Sequence, residues 1–315
     1  MKSIASAPGK VILFGEHFVV YGAPAILCSI DKRIKVISQV IDERKIKIKS
    51  DIGNIEVDVD SVSNDSIDLM KPFVYLATRT LKKSKKNTGI EIKIESEIPP
   101  GIGLGSSSAS CVAAAASITG LFEKLPKEEI LKLAIEAERT IFKNTSGADC
   151  SVCTFGGLAK YDIKDGFKKI NSQVDFDLVI ANSKQPHLTS EVVEKVRKFK
   201  ENDKELFASL YKQESVLIQD AFLALEKNDL SVIGSLMSKN QLLLEQIGVS
   251  TSKLDILVKK AKKTSFGAKI TGAGNGGCII ALVDKSNLSQ TLTNLKNHGE
   301  VFSTKIDYKG LLDTF

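Results

Sequence analysis

The chain has only three histidines in 315 residues, His17, His187 and His298, too few and too scattered for a histidine-rich zinc site. Arginine is scarce as well: Arg33, Arg44, Arg79, Arg139 and Arg197 are all there are. The basic side is therefore nearly all lysine, and 44 Lys+Arg against 38 Asp+Glu leave a formal charge of only +6. Spread over this length, that surplus reads as a lysine-coated surface. It favours phosphorylated small molecules as readily as nucleic acid, and no nucleic-acid partner is expected. Long hydrophobic runs are missing too. Residues 11–14 are apolar but are cut off by Gly15-Glu16-His17, and the alanine-rich stretch 111–122 is broken by serine, threonine and glycine. The first is no signal-peptide core and the second reads as a buried helix, so no membrane partner is expected. The cysteines, Cys28, Cys111, Cys150, Cys153 and Cys278, are odd in number and dispersed. They predict reduced core thiols and a cytoplasmic location.

The length suits one large domain or two medium ones. Period-two alternation at residues 45–49, 55–59 and 90–94, with shorter signals at 11–14 and 34–37, predicts strands carrying charge on one face. The pattern turns helical over 106–121 and 127–142. After a new strand at 178–180, helices are expected at 190–200, 204–226, 230–247 and 252–264, with strands at 268–270, 277–283 and 301–306. This succession of strands and helices is that of an α+β protein, divided near residue 170 into halves 1–170 and 171–315. The lysine runs at 82–86 and 259–263 read as solvated faces.

The strongest local signal is Pro99-Pro100-Gly101-Ile102-Gly103-Leu104-Gly105-Ser106-Ser107-Ser108-Ala109-Ser110, leading straight into the alanine-rich helix. Glycines let a backbone approach a ligand closely, and a helix N-terminus favours an anion. Residues 100–109 are thus expected to cradle phosphate, although a glycine turn with a serine N-cap has the same letters. A Walker loop would end in Gly-Lys-Ser/Thr and a dinucleotide fingerprint would space its glycines differently, so neither fits.

Two further segments matter. Residues 7–22 set Lys10, Glu16 and His17 around a short apolar strand, and residues 267–278 form a glycine loop containing Thr271, Gly272 and Asn275 that runs into a strand. In this order and at these positions, the three segments resemble the signature motifs of the GHMP kinase superfamily. Residues 9–22 are most similar to the first motif of its mevalonate kinase family. Glu136 to Arg139 and Thr145 to Asp149, ending in Thr154-Phe155-Gly156-Gly157, are similar to that family's catalytic-aspartate segment. Three departures stand out: Asn275 interrupts a glycine run, His187 replaces a frequent arginine, and Cys150 follows the aspartate.

The resemblance implies a two-domain fold, with an N-terminal ribosomal-protein-S5-like domain and a C-terminal ferredoxin-like domain. It also implies an enzyme that uses ATP and Mg²⁺ to phosphorylate mevalonate, with a sister kinase of phosphomevalonate, homoserine or the mevalonate 3-hydroxyl as the alternative; a homodimer is compatible with the sequence, which does not fix the oligomeric state. Seen bare, Asp149 is a loop aspartate that could equally form a turn. The resemblance makes it the group that orients or deprotonates the acceptor hydroxyl, with Lys10 beside it. By the same resemblance Ser107 and Glu138 hold the metal, and Glu16, His17, Thr271 and Gly272 line the acceptor or close over the phosphates. Glu136 lies two positions from Glu138 on a helix, so only one of them can face the site.

Overall fold

The computed structural model describes residues 1–60, 68–186 and 188–314. Two long strands, β1 (Lys2–Phe14) and β2 (Ala25–Ile41), pair antiparallel along most of their length. The hairpin of β3 (Lys45–Ser50) and β4 (Gly53–Asp58) is followed by helix α1 (Lys71–Ser84). Strand β5 (Gly89–Ser96) then inserts between β2 and β3, antiparallel to the first and parallel to the second. The alternation sorts the faces: Ile46, Ile48, Ile90 and Ile92 are buried, while Lys45 meets Glu56 and Lys49 meets Glu91 outside. Exposed pairs of this kind stabilise weakly, so the apolar face holds the sheet.

Helices α2 (Ser106–Thr119), α3 (Lys127–Glu138) and α4 (Ala148–Phe155) cover that apolar face with α1. The central helix, α2, touches β1, β2, α1, α3 and α4, and Ala113, Ala114, Ala115 and Ala116 are all buried. Alanine lets those neighbours come close, and larger side chains would overpack the contact. The helix expected over 127–142 stops at Glu138, where the Thr140 hydroxyl donates to the Ala137 carbonyl at 2.7 Å and tightens the last turn. Strands β6 (Leu158–Asp162) and β7 (Gly166–Ile170) extend the sheet from the start of β2.

The second sheet begins at β8 (Asp177–Asn182). Helices α5 (Thr189–Asn202), α6 (Lys204–Glu226), α7 (Leu230–Gln246) and α8 (Ser252–Ala261) lead to β9 (Gly267–Thr271) and β10 (Cys278–Val283). Helix α9 (Leu288–Lys296) then connects to β11 (Glu300–Lys305). The strand order β11-β8-β10-β9, all antiparallel with helices in two of the connections, is a ferredoxin-like arrangement. The chain does not end there. Strand β12 (Leu312–Thr314) returns to the first sheet and pairs with Ile4 to Ser6 of β1. All five cysteines are buried and free, and among the described residues no helix is long and apolar enough to cross a membrane.

Candidate active site

Strand β1 delivers the first group. Its register with β2 shifts between Pro8 and Gly9, where proline offers no N–H to the ladder. Just beyond, the Lys10 N–H donates to the Leu104 carbonyl at 2.9 Å, tying strand to loop. The Lys10 ammonium lies 3.0 Å from Asp149 Oδ2; its side chain is 7% exposed and that of Asp149 is 37%. Asp149 is not in a loop. It occupies the first turn of α4, whose N-terminal end favours a negative charge. The pair therefore presents a reachable carboxylate backed by a nearly buried cation.

Residues 100–105 form a loop pinned by buried Ile102 and Leu104, with Pro100, Gly101 and Gly103 turned outward. Gly105, at φ 74°, leads into α2, and a Cβ on it would stand 2.7 Å from Lys10 Cγ. The Ala109 N–H donates to the Gly105 carbonyl at 2.9 Å. The amides of Ser106, Ser107 and Ser108 are thus the ones an α-helix leaves without an internal acceptor. With the helix dipole, such donors can hold an anion beside the Lys10–Asp149 pair.

Glu138 closes the inner wall. It is 3% exposed, and its carboxylate accepts the hydroxyl of Ser108 on one oxygen and that of Thr145, at 2.5 Å, on the other. Ser107, paired with Glu138 by the resemblance, is one position and so about 100° away around α2, and it stays partly exposed. Glu136 faces outward to Tyr75 and Arg79, so only Glu138 points inward. Among the described residues no three His, Cys, Asp or Glu are grouped to hold a metal ion. A lone carboxylate with a hydroxyl nearby suits Mg²⁺, which takes hard oxygens and completes its shell with water and phosphate.

The second half brings the loop after β9 against the first. A methyl group on Gly272 would lie 4.0 Å from the Gly103 carbonyl oxygen, so the two glycine loops face each other. Thr271, expected at the ligand, is only 3% exposed. Its hydroxyl accepts the Ile12 N–H and donates to the Ile12 carbonyl, both at 3.0 Å, and so joins β9 to β1. His17 has φ 62°, and its Nε2 lies 2.7 Å from the Ala273 carbonyl oxygen. Burial moves this imidazole below its usual 6.5, the carbonyl contact opposes that, and the Lys269 ammonium adds to it. A neutral ring donating from Nε2 fits this contact.

Glu16 also corrects the sequence reading. Expected at the acceptor, it turns inward into an ion pair with Lys269 in which both side chains are 0% exposed. Burial pushes the Glu16 carboxyl up and the Lys269 ammonium down, each against the attraction of the other. Nearby, Glu214 of α6 accepts the Gly15 N–H at 3.0 Å and the Asn240 side-chain amide at 2.6 Å. Sequence reasoning missed both partners. For Lys269 the visible signal is a charge inside an otherwise apolar strand; Glu214 offers none. Asn275 sits at φ 56° with its N–H donating to the Val249 carbonyl at 2.7 Å. Asparagine tolerates that left-handed backbone better than most residues, which accounts for the break in the glycine run. His187 lies outside the described residues.

Residues 72–157 match the family model of the GHMP kinases N terminal domain, and residues 221–301 match that of the GHMP kinases C terminal. A mevalonate kinase of Pyrococcus horikoshii is 35% identical over 326 residues, spanning 98% of this chain and 96% of that protein. The crystal structure of the Methanococcus jannaschii mevalonate kinase is similar at a TM-score of 0.87 and 30% identity, over 96% of this chain and 98% of the other. The L. major mevalonate kinase in complex with R-mevalonate is similar at a TM-score of 0.82 and 27% identity, over 96% and 95%.

Proposed function

Because this chain belongs to the GHMP kinase family, we propose that it transfers the γ-phosphoryl group of ATP to the primary hydroxyl of mevalonate, giving 5-phosphomevalonate and ADP. The observation that carries this reading is the 3.0 Å contact between Lys10 and Asp149, set beside the N-terminus of α2. The names of the similar proteins, and the R-mevalonate bound in one of them, support the choice of acceptor.

In this reading the first half, 1–170, holds the nucleotide and the second, 171–315, closes the acceptor side. The amides of the 100–105 loop and of Ser106 to Ser108 bind phosphate oxygens and are already oriented, so the developing charge meets fixed donors. Asp149 accepts the hydrogen bond of the acceptor hydroxyl and takes its proton. The oxygen forms its bond to the γ-phosphorus in line, while the bond from that phosphorus to the departing ADP oxygen breaks. Lys10 balances the negative charge gathered between Asp149 and the phosphate. Glu138 and Ser107 would hold Mg²⁺, which when bound neutralises phosphate charge.

The test is ADP release by the purified protein with ATP and magnesium, offered mevalonate, phosphomevalonate and homoserine in turn. Mevalonate should be preferred. Turnover on homoserine or phosphomevalonate with none on mevalonate would refute the assignment.

A further inference from the structure

Between the two sheets three ionisable side chains are sealed from solvent: Lys269 of β9, Glu16 in the turn after β1, and Glu214 of α6, each no more than 1% exposed. Lys269 donates to Glu16 and, at 2.7 Å, to the Ile270 carbonyl. Glu214 holds the Gly15 N–H on one oxygen and Asn240 of α7 on the other. Gln241, the next residue of α7, accepts the Ile270 N–H at 2.8 Å. The turn of residues 15–17 is thereby gripped from β9 and α6, and α7 braces both of them. His17, the last residue of that turn, keeps a positive φ with its ring on Ala273.

Stability alone does not account for this arrangement. Buried ion pairs are often no more stable than apolar residues of the same volume, although breaking one is strongly destabilising. Glu16 Oε2, moreover, has no hydrogen-bond partner among the described residues. What the cluster does supply is direction, since its contacts end on the turn, on the strand that leads to the second glycine loop, or on one another. Strain held in place by its surroundings is a device for aiming a side chain.

We propose that Lys269, Glu16 and Glu214 are positioning residues that set the 15–17 turn so that His17 meets the acceptor, and that they govern acceptor recognition and not ATP binding. This rests on the function proposed above and on the acceptor lying against His17, which the resemblance of residues 9–22 implies. The Glu214→Ala variant loses the anchor on Gly15, whereas Glu214→Gln keeps an acceptor for the Gly15 N–H, and its NH2 group can donate to Asn240 Oδ1, an atom without a partner among the described residues of the wild type, once the Asn240 amide turns over.

Steady-state kinetics on both substrates test the idea. Glu214→Ala should raise the acceptor KM about tenfold while the ATP KM and kcat stay within about twofold, and Glu214→Gln should restore the acceptor KM to near the wild-type value. Should Glu214→Ala not fold, the double variant Glu16→Gln with Lys269→Met, which is uncharged at both positions, carries the test with the same expected KM split. An unchanged acceptor KM, or equal rises in both KM values, overturns the positioning role. The wild type keeps the two ideas apart. If it turns over a different acceptor from the panel, the assignment of mevalonate fails, and the variants are then compared on the acceptor it uses.

Discussion

The side chain of Lys10 crosses Gly105 so closely that a methyl group there would stand 2.7 Å from its Cγ and 3.2 Å from its Cε. The same side chain ends 3.0 Å from Asp149. A residue of the phosphate-loop motif therefore sets the path of the lysine from the first motif. Gly105→Ala should displace the ammonium and, since a misplacement of about 1 Å can cost about a hundredfold, lower kcat by roughly that factor. Turnover close to wild type in that variant would show that Lys10 has another route.

Asp149 is exposed enough to meet a hydroxyl, and its neutral isostere keeps its shape. Asp149→Asn should lower turnover by about 10²- to 10⁴-fold, the usual contribution of a positioned acid or base. Nucleotide binding, followed by calorimetric titration, should be little changed. Loss of nucleotide binding together with turnover would place Asp149 in the nucleotide site instead.

Ser108 donates to Glu138 and so helps aim its carboxylate. If Glu138 holds magnesium, Ser108→Ala should raise the metal concentration for half-maximal activity by about tenfold, as loss of a partner behind a ligand commonly does. A magnesium titration at saturating ATP checks this. An unaltered titration curve would separate Glu138 from the metal.

Burial lifts Glu214 from 4.5 to about 8, nearby Glu16 adds to the effect, and Lys269, Asn240 and the Gly15 N–H oppose it. The unfolded chain releases this proton near 4.5 and the folded chain near 8, so between those values the folded state binds more protons. Stability linked to Glu214 is then complete below the lower value and lost as pH rises toward the upper one. Urea unfolding of wild type and Glu214→Gln across this range should show the wild type losing ground as pH rises. A constant difference between the two would mean that Glu214 does not titrate in this window.

Asn275 occupies a left-handed backbone position. Asn275→Gly should be nearly neutral, while Asn275→Val should cost about 1–3 kcal/mol, the strain of a branched residue in that region. Thermal or urea unfolding of the two variants measures the difference. Equal stability would place the constraint elsewhere in the loop.

Local pattern carried much of the fold. The strands at 45–49 and 90–94 and the helix at 204–226 were legible because alternation or helical spacing follows directly from which face is buried. Helix α1 has no counterpart among the helices that the sequence pattern predicts. Its lysine-rich end reads as a solvated run, and its buried face of Phe73, Val74, Leu76, Ala77 and Leu81 emerges only once the sheet lies beneath it. Asp149 reads as a loop residue in the sequence because eight residues of α4 between glycines leave little periodicity to detect.

By itself the sequence determined where the backbone is free to approach a ligand, because glycines and a serine-led helix start are local chemistry; it was the family resemblance that singled out Lys10, Asp149 and Glu138 as candidate site residues. Only the tertiary structure decided which way neighbouring side chains turn. It sent Glu16 inward to Lys269 while His17 reached Ala273, put Ser108 and not Ser107 on Glu138, and spent the Thr271 hydroxyl on Ile12. The physical reason is that a buried charge or hydroxyl is oriented by the partner that satisfies it. Here those partners arrive from strands and helices far along the chain.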